Sequence, residues 1–224
     1  MRNVIFSMMI SLDGYFEGPG EGWEKIDWHR ADDQWEQYSV ELLSQIDTLL
    51  FGRKTYVGFA EFWPTQQGDV ARLLNNIDKV VVSTTLTEAT WNATRLVRDH
   101  VSEEIARLKA QPGKDIAIFG SAELAATLMQ HDLIDEYRIA VNPVVLGGGT
   151  ALFQKRAERL NLRLLDTRIF RSGIVELRYA RSRSASITHS QNRPIHRSDG
   201  SVRIVPWACA CKQCPSTFHA SSSI

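Results

Sequence analysis

The sequence predicts an α/β domain: a mainly parallel sheet with an antiparallel edge and a C-terminal antiparallel hairpin. Three observations carry this. Short apolar runs of strand length alternate with amphipathic stretches of helical period as far as Arg181. Several of the runs stop at a small or polar turn that opens a helix or loop. The last two apolar segments flank Arg171-Ser172-Gly173, a hairpin turn in which glycine supplies a positive φ.

In chain order, Val4 to Ile10 is a buried strand that stops at Ser11-Leu12-Asp13-Gly14. Asp32 to Gln45 is a helix with Trp35, Tyr38, Leu42 and Leu43 near one face. Thr48 to Phe51 and Val80 to Val82 are short strands ending at Gly52 and at Ser83-Thr84. Ser102 can cap a helix carrying Ile105 and Leu108, which Pro112-Gly113 ends. Ile116 to Phe119 is a strand stopping at Gly120-Ser121, followed by a helix with Leu124, Leu128 and Met129. Tyr137 to Val145 is a long strand ending at Leu146-Gly147-Gly148-Gly149, and Leu160 to Phe170 pairs with Ile174 to Tyr179.

From Ser182 onward the composition changes to Ser, Arg, His, Pro and Cys with few apolar residues. Such a stretch cannot offset the entropy of ordering itself, so the domain is expected over 1–181 and a disordered or extraneous tail over 182–224. All three cysteines lie in that tail, which excludes a disulfide framework for the body. Cys209, Cys211 and Cys214 with His219 suggest a zinc site. Their spacing lacks regular ligand pairs, so no metal is expected.

Lys plus Arg equals Asp plus Glu, giving zero formal net charge, which argues against a general nucleic-acid binder. No signal core precedes the first strand and no stretch is apolar enough to span a bilayer. A cytoplasmic protein with neither nucleic-acid nor membrane partners is the expectation.

The chemistry concentrates at the strand ends. Phe51-Gly52-Arg53-Lys54-Thr55, Val82-Ser83-Thr84 and Phe119-Gly120-Ser121-Ala122-Glu123 each place small or polar residues where a strand stops. Ligands of open α/β sheets collect at those ends, and helix N-termini there offer unpaired N–H groups to phosphate. Gly52 and Gly120 permit close backbone approach, Arg53 and Lys54 add positive charge, and Ser83 and Thr84 add hydroxyls. Any one of these alone is an ordinary turn. The three in this order favour a phosphate- or pyrophosphate-binding role, and the absence of the G-x-G-x-x-G fingerprint disfavours the common dinucleotide fold.

These segments, with Ser11-Leu12-Asp13-Gly14, Leu133-Ile134-Asp135-Glu136-Tyr137 and Pro143 to Gly149, resemble the dihydrofolate reductase superfamily. The similarity is closest to its bacterial riboflavin-biosynthesis reductase branch and spans about residues 3–180. It implies a dihydrofolate reductase-like three-layer fold, a mixed central sheet flanked by helices, with NADPH across the strand ends. Gly52, Arg53, Lys54 and Thr55 would then meet the adenosine-side phosphates, and Ser83 and Thr84 the 2′-phosphate. Gly120, Ser121 and Ala122 would lie under the pyrophosphate, and Ser11 and Gly14 near the nicotinamide. Glu123 stands where dihydrofolate reductases often carry a basic residue, so NADH stays open as the alternative cofactor.

The resemblance further implies a carboxylate that holds the substrate. Asp32, Asp33 and Glu36 lie in the right neighbourhood, and Asp13 is the other acid considered for catalysis, or else it braces its own turn. Trp23, Trp28 and Trp35 could stack on a flat heterocycle or simply pack, and His29 could donate a proton or simply be exposed. The expected function is an NAD(P)H-dependent reductase of a small heterocycle of pterin or pyrimidine type. A non-catalytic nucleotide-binding or dimerising protein and dihydrofolate reductase proper are the alternatives. A homodimer is expected from the resembling branch and from Leu160, Leu162, Leu164 and Ile169 on the terminal strands.

Overall fold

The computed structural model describes residues 1–153 and 159–182. The expectations for the tail, including its cysteine cluster, fall on 183–224 and lie outside the described residues.

Ten strands and five α-helices occur among the described residues. They are β1 Val4–Ile10, β2 Tyr15–Glu17, α1 Asp33–Ser44, β3 Ile46–Gly52, α2 Arg53–Phe62, α3 Asp69–Asn76, β4 Asp78–Val82 and β5 Thr94–Val97. Then come α4 Val101–Ala110, β6 Asp115–Phe119, α5 Ala122–Gln130, β7 Glu136–Val141, β8 Thr150–Ala151, β9 Leu162–Ile169 and β10 Val175–Arg181. Eight strands form one sheet in the order β5-β4-β3-β6-β1-β7-β10-β9, and β2 pairs with β8 apart from it. Pairing is parallel from β5 through β7 and antiparallel for β7–β10 and β10–β9.

Successive residues of β1 show how the layers form. Val4, Phe6 and Met8 belong to a core that includes Ile105 and Leu108 of α4 and Leu124 and Leu128 of α5. Ile5, between them, faces the other core, with Tyr38 and Leu42 of α1, Tyr56 of α2 and Leu74 of α3. The period of two sends alternate side chains to opposite faces, and each face is covered by helices.

Local chemistry sets the helix ends. The Asp32 carboxylate caps α1 by accepting the Trp35 N–H at 2.8 Å, so Asp32 stands just outside the helix in which the sequence reading placed it. In α4, Glu103 and Glu104 occupy the first turn and Arg107 and Lys109 the last, matching the helix dipole. That helix starts at Val101; its cap position is His100, in left-handed conformation, and Ser102 lies inside it. The predicted strand Tyr137 to Val145 stops early, at Val141. Leu12 N–H donates to the Val144 carbonyl at 2.8 Å, which draws the following segment toward the β1 turn. The terminal hairpin forms as expected, with Gly173 at φ +88° and its N–H donating to the Phe170 carbonyl at 3.0 Å. Leu160 and Leu162 pack against the core, whereas Leu164, Leu165 and Ile169 are exposed.

Candidate functional site

Because β6 lies between β1 and β3, the chain order reverses direction across the sheet there, and a crevice opens at the strand ends. A cleft of about 570 Å³ occupies it. Gly52, Arg53, Lys54 and Thr55 line it from the β3–α2 junction. Val82, Ser83, Thr84 and Thr85 line it beyond β4, and Ser121, Ala122, Glu123 and Leu124 beyond β6.

Two helix N-termini meet at this cleft. Among the described residues no side chain caps α2 or α5, so their first N–H groups keep hydrogen-bonding capacity. Gly52 N–H donates to Ser121 Oγ at 2.9 Å, and Ser121 N–H donates to Thr55 Oγ1 at 3.0 Å. These bonds lock the two helix starts together. Gly120 and Ser121 both take left-handed backbone, at φ +60° and +53°. A Cβ on Gly120 would lie 3.0 Å from Thr55 Cγ2, so the turn needs glycine there. Ser83 Oγ accepts from the N–H groups of Thr85 and Leu86 at 3.2 and 2.9 Å, which folds the loop after β4 and leaves the exposed Thr84 hydroxyl at the cleft.

The charge pattern is informative. The first turn of α2 carries Arg53 and Lys54 and no acid. A helix N-terminus is already partially positive, so two cations there are mutually unfavourable until an anion arrives. Glu123 of α5 supplies one carboxylate, 3.3 Å from Lys54 Nζ. Arg53 has no acidic partner within ion-pair distance among the described residues. On another part of the lining, Glu17 lies 3.8 Å from Lys25 Nζ and accepts the Thr150 hydroxyl at 3.3 Å.

Glu17, Lys25, Phe16 and Thr150 are lining residues that the sequence reading missed. The signal for them was faint: a three-residue strand after Gly14, and the glycine run before Thr150. A Cβ on Gly149 would fall 2.0 Å from the Glu17 carbonyl, so only glycine allows β8 to approach β2 there.

The other expected site residues are placed elsewhere. Gly120 supports the cleft through Thr55 without lining it. Ser11 is fully buried, and its Oγ accepts the Tyr15 N–H at 3.0 Å; Gly14, at φ +88°, accepts the Leu152 N–H at 3.1 Å. Asp13 accepts the Leu146 and Gly147 N–H groups at 3.1 and 2.8 Å. The Ser11 hydroxyl, with these two N–H groups, holds its acid down to about 2. Asp32 is held low by the Trp35 N–H and also accepts the Ser172 N–H at 2.8 Å. Glu36 is exposed on α1. None of Ser11, Asp13, Gly14, Asp32 and Glu36 lines the cleft.

The tryptophans do not gather at one mouth. Trp35 packs on Tyr38 and Phe170, and Trp23 on Phe62 with ring centroids 5.4 Å apart. Trp28 donates to the Lys25 carbonyl at 2.7 Å, bracing the turn that carries Lys25. His29 Nε2 is buried with no partner among the described residues, and burial pushes the imidazole down to about 4.

Comparison with known proteins bears on what this cleft is. Residues 2–175 match the RibD C-terminal domain family. The chain is 34% identical to protein YyaP of Bacillus subtilis (strain 168) over 183 residues, covering 80% of this chain and 94% of that one. A putative riboflavin biosynthesis protein from Shewanella sp. PV-4 is 26% identical, with a TM-score of 0.62 over 82% of this chain and 100% of its own. Dihydrofolate reductase from Enterococcus faecalis, solved with NADP(H) and RAB-propyl, shares the fold at 14% identity, with a TM-score of 0.55 over 81% of this chain and 97% of its own.

Proposed function

The chain belongs to the RibD C-terminal domain family and has a dihydrofolate reductase-like fold, and from that premise we propose that it is a nicotinamide-dependent reductase of a small, flat nitrogen heterocycle. NADPH is the cofactor of this reading, with NADH as its alternative. The observation that carries it is the pair of uncapped helix N-termini sharing one cleft, one of them bearing Arg53 and Lys54 without an acid in its own first turn. Glu123 meets only Lys54, so Arg53 and the two helix N-termini can still take a further anion, which suits a pyrophosphate.

In this reading Gly52, Arg53, Lys54 and Thr55 hold the adenosine-side phosphates. Ser83 and Thr84 take the 2′-phosphate, and the turn Gly120-Ser121-Ala122 supports the pyrophosphate. Ser11 and Gly14 act indirectly, by shaping the turn that delivers Phe16 and Glu17 to the lining. The dinucleotide, when bound, supplies the hydride; the protein contributes orientation and electrostatics. Glu17 is the lining carboxylate that can accept N–H donors of a heterocycle, with Lys25 and Thr150 fixing its position. A cytoplasmic homodimer completes the reading.

One observation favours a second reading, a nucleotide-binding protein without turnover. Asp13, Asp32 and Glu36 all stay off the lining, and the first two are engaged by backbone N–H groups. Fluorescence titration with NADPH, then NADPH oxidation across pterins, pyrimidines and dihydrofolate, decides among the readings. Binding with turnover of a pyrimidine or pterin supports the reductase, and binding without turnover of any supports the second reading. Efficient use of dihydrofolate alone marks dihydrofolate reductase proper. No binding of NADPH or NADH removes the cofactor assignment.

A further inference from the structure

We propose that Glu123 is an internal counterion that competes with bound phosphate for Lys54 and so weakens and speeds exchange of the ligand in the cleft. The inference rests on the dinucleotide reading above and deepens it by giving one lining residue the opposite sign of effect from the rest.

Lys54 and Glu123 are each the second residue of their helices, α2 and α5. The Ser121–Gly52 and Ser121–Thr55 hydrogen bonds hold those two helix starts side by side. This brings Glu123 Oε1 to 3.3 Å from Lys54 Nζ, at the rim of the cleft that both residues line. The two side chains are 76% and 82% exposed, so water and salt screen the pair and little holds it closed.

Without a ligand, Glu123 offsets the two cations stacked on the positive end of α2 and also suits its own helix N-terminus. A phosphate arriving at the same two helix starts finds that carboxylate already there. Binding then requires Lys54 to exchange one anion for another while Glu123 remains nearby as a like charge. The carboxylate therefore supports the free protein and opposes the complex. A residue with a purely structural role has no such split: its loss lowers stability and leaves affinity equal or weaker.

The test uses the full chain, as wild type, Glu123→Gln, Glu123→Lys and Glu103→Gln. The last removes an exposed acid from the first turn of α4, a residue that does not itself line the cleft. NADPH affinity and dissociation rate are measured by fluorescence, and free-protein melting temperature by calorimetry. The expected result is affinity about twofold to fivefold higher for Glu123→Gln, higher still for Glu123→Lys, with slower dissociation. Glu123→Gln should lower the melting temperature of the free protein, and Glu103→Gln should leave affinity unchanged. Equal or weaker NADPH binding by Glu123→Gln, with wild type binding normally, overturns the role given to Glu123. Failure of the wild type itself to bind NADPH or NADH is a different result; it removes the dinucleotide reading and this inference with it.

Discussion

The hydroxyl of Ser121 accepts the backbone N–H of Gly52 at 2.9 Å, so the turn after β6 holds the last residue of β3. Through this bond the start of α5 and the start of α2 behave as one element, and their unpaired N–H groups face a shared cleft.

Arg53 is the cation of that element without an acidic partner among the described residues. Arg53→Ala should remove one charge-assisted contact to phosphate, about 1.5–3 kcal/mol, or roughly ten- to hundredfold in NADPH affinity. The Arg53 side chain is exposed and its removal should leave the melting temperature unchanged, which calorimetry checks directly. Unchanged affinity would remove Arg53 from the binding assignment.

Gly149→Ala should destabilise the protein by about 1–3 kcal/mol in denaturant titration. Its φ is +125°, and the new Cβ would collide with the Glu17 carbonyl. The neighbouring Gly148→Ala meets nothing within 4 Å and should be close to neutral, which separates the clash from a general effect of altering the glycine run.

Lys79, only 1% exposed, donates to the carbonyls of Asn75, Ile77 and Asn92 at 3.0, 2.8 and 3.1 Å, and lies 4.3 Å from the Trp91 ring centroid. Lys79→Met leaves those carbonyls without their donor and should reduce stability by about 2–4 kcal/mol. Burial lowers the ammonium from 10.5 to about 8. Between those values the unfolded chain binds the proton more tightly, so wild-type stability should rise with pH across that window. Denaturant titration at pH 8 and above checks the slope, which Lys79→Met should flatten. A flat wild-type profile would mean that the three carbonyls and the indole fully offset desolvation.

The edge strand β9 exposes Leu164, Leu165 and Ile169, and Ile169 is 76% exposed. An unpaired edge with apolar side chains is covered in most proteins, and a two-fold partner is the commonest cover. Light scattering at micromolar concentration should give a dimer mass, and Ile169→Lys with Leu164→Lys should shift it toward monomer. A monomer mass for the wild type counts against the dimer.

Ending the chain after Arg181 removes one described hydrogen bond, from Ser182 N–H to the Asn161 carbonyl at 2.9 Å. Melting temperature and NADPH affinity should therefore match those of the full chain. A large loss of either would show that the later residues belong to the domain.

Features that depend on near neighbours in the chain are legible in the amino-acid order. The apolar run Val4 to Ile10, the Gly173 hairpin turn and the helix carrying Leu124 and Leu128 were legible because strand length, turn conformation and helical period are local properties. The segments 51–55, 82–84 and 119–123 were legible as strand ends for the same reason. Where local signals were weak or misleading, the reading failed: α3 and β5 went unread, and apolar Val144 and Val145 suggested a longer β7. That strand ends because Leu12 and Asp13 bind Val144, Leu146 and Gly147, more than a hundred residues later in the chain. Which acids reach the cleft depends on packing between distant parts of the chain. Asp32 was conspicuous in sequence but spends its oxygens on Trp35 and Ser172, whereas Glu17 and Glu123 face lysines across the cleft lining. The Lys54–Glu123 pair follows from the adjacency of β3 and β6, and Thr150 reaches Glu17 through the close approach at Gly149. Contacts of this kind between distant segments are set by packing, which no local pattern records.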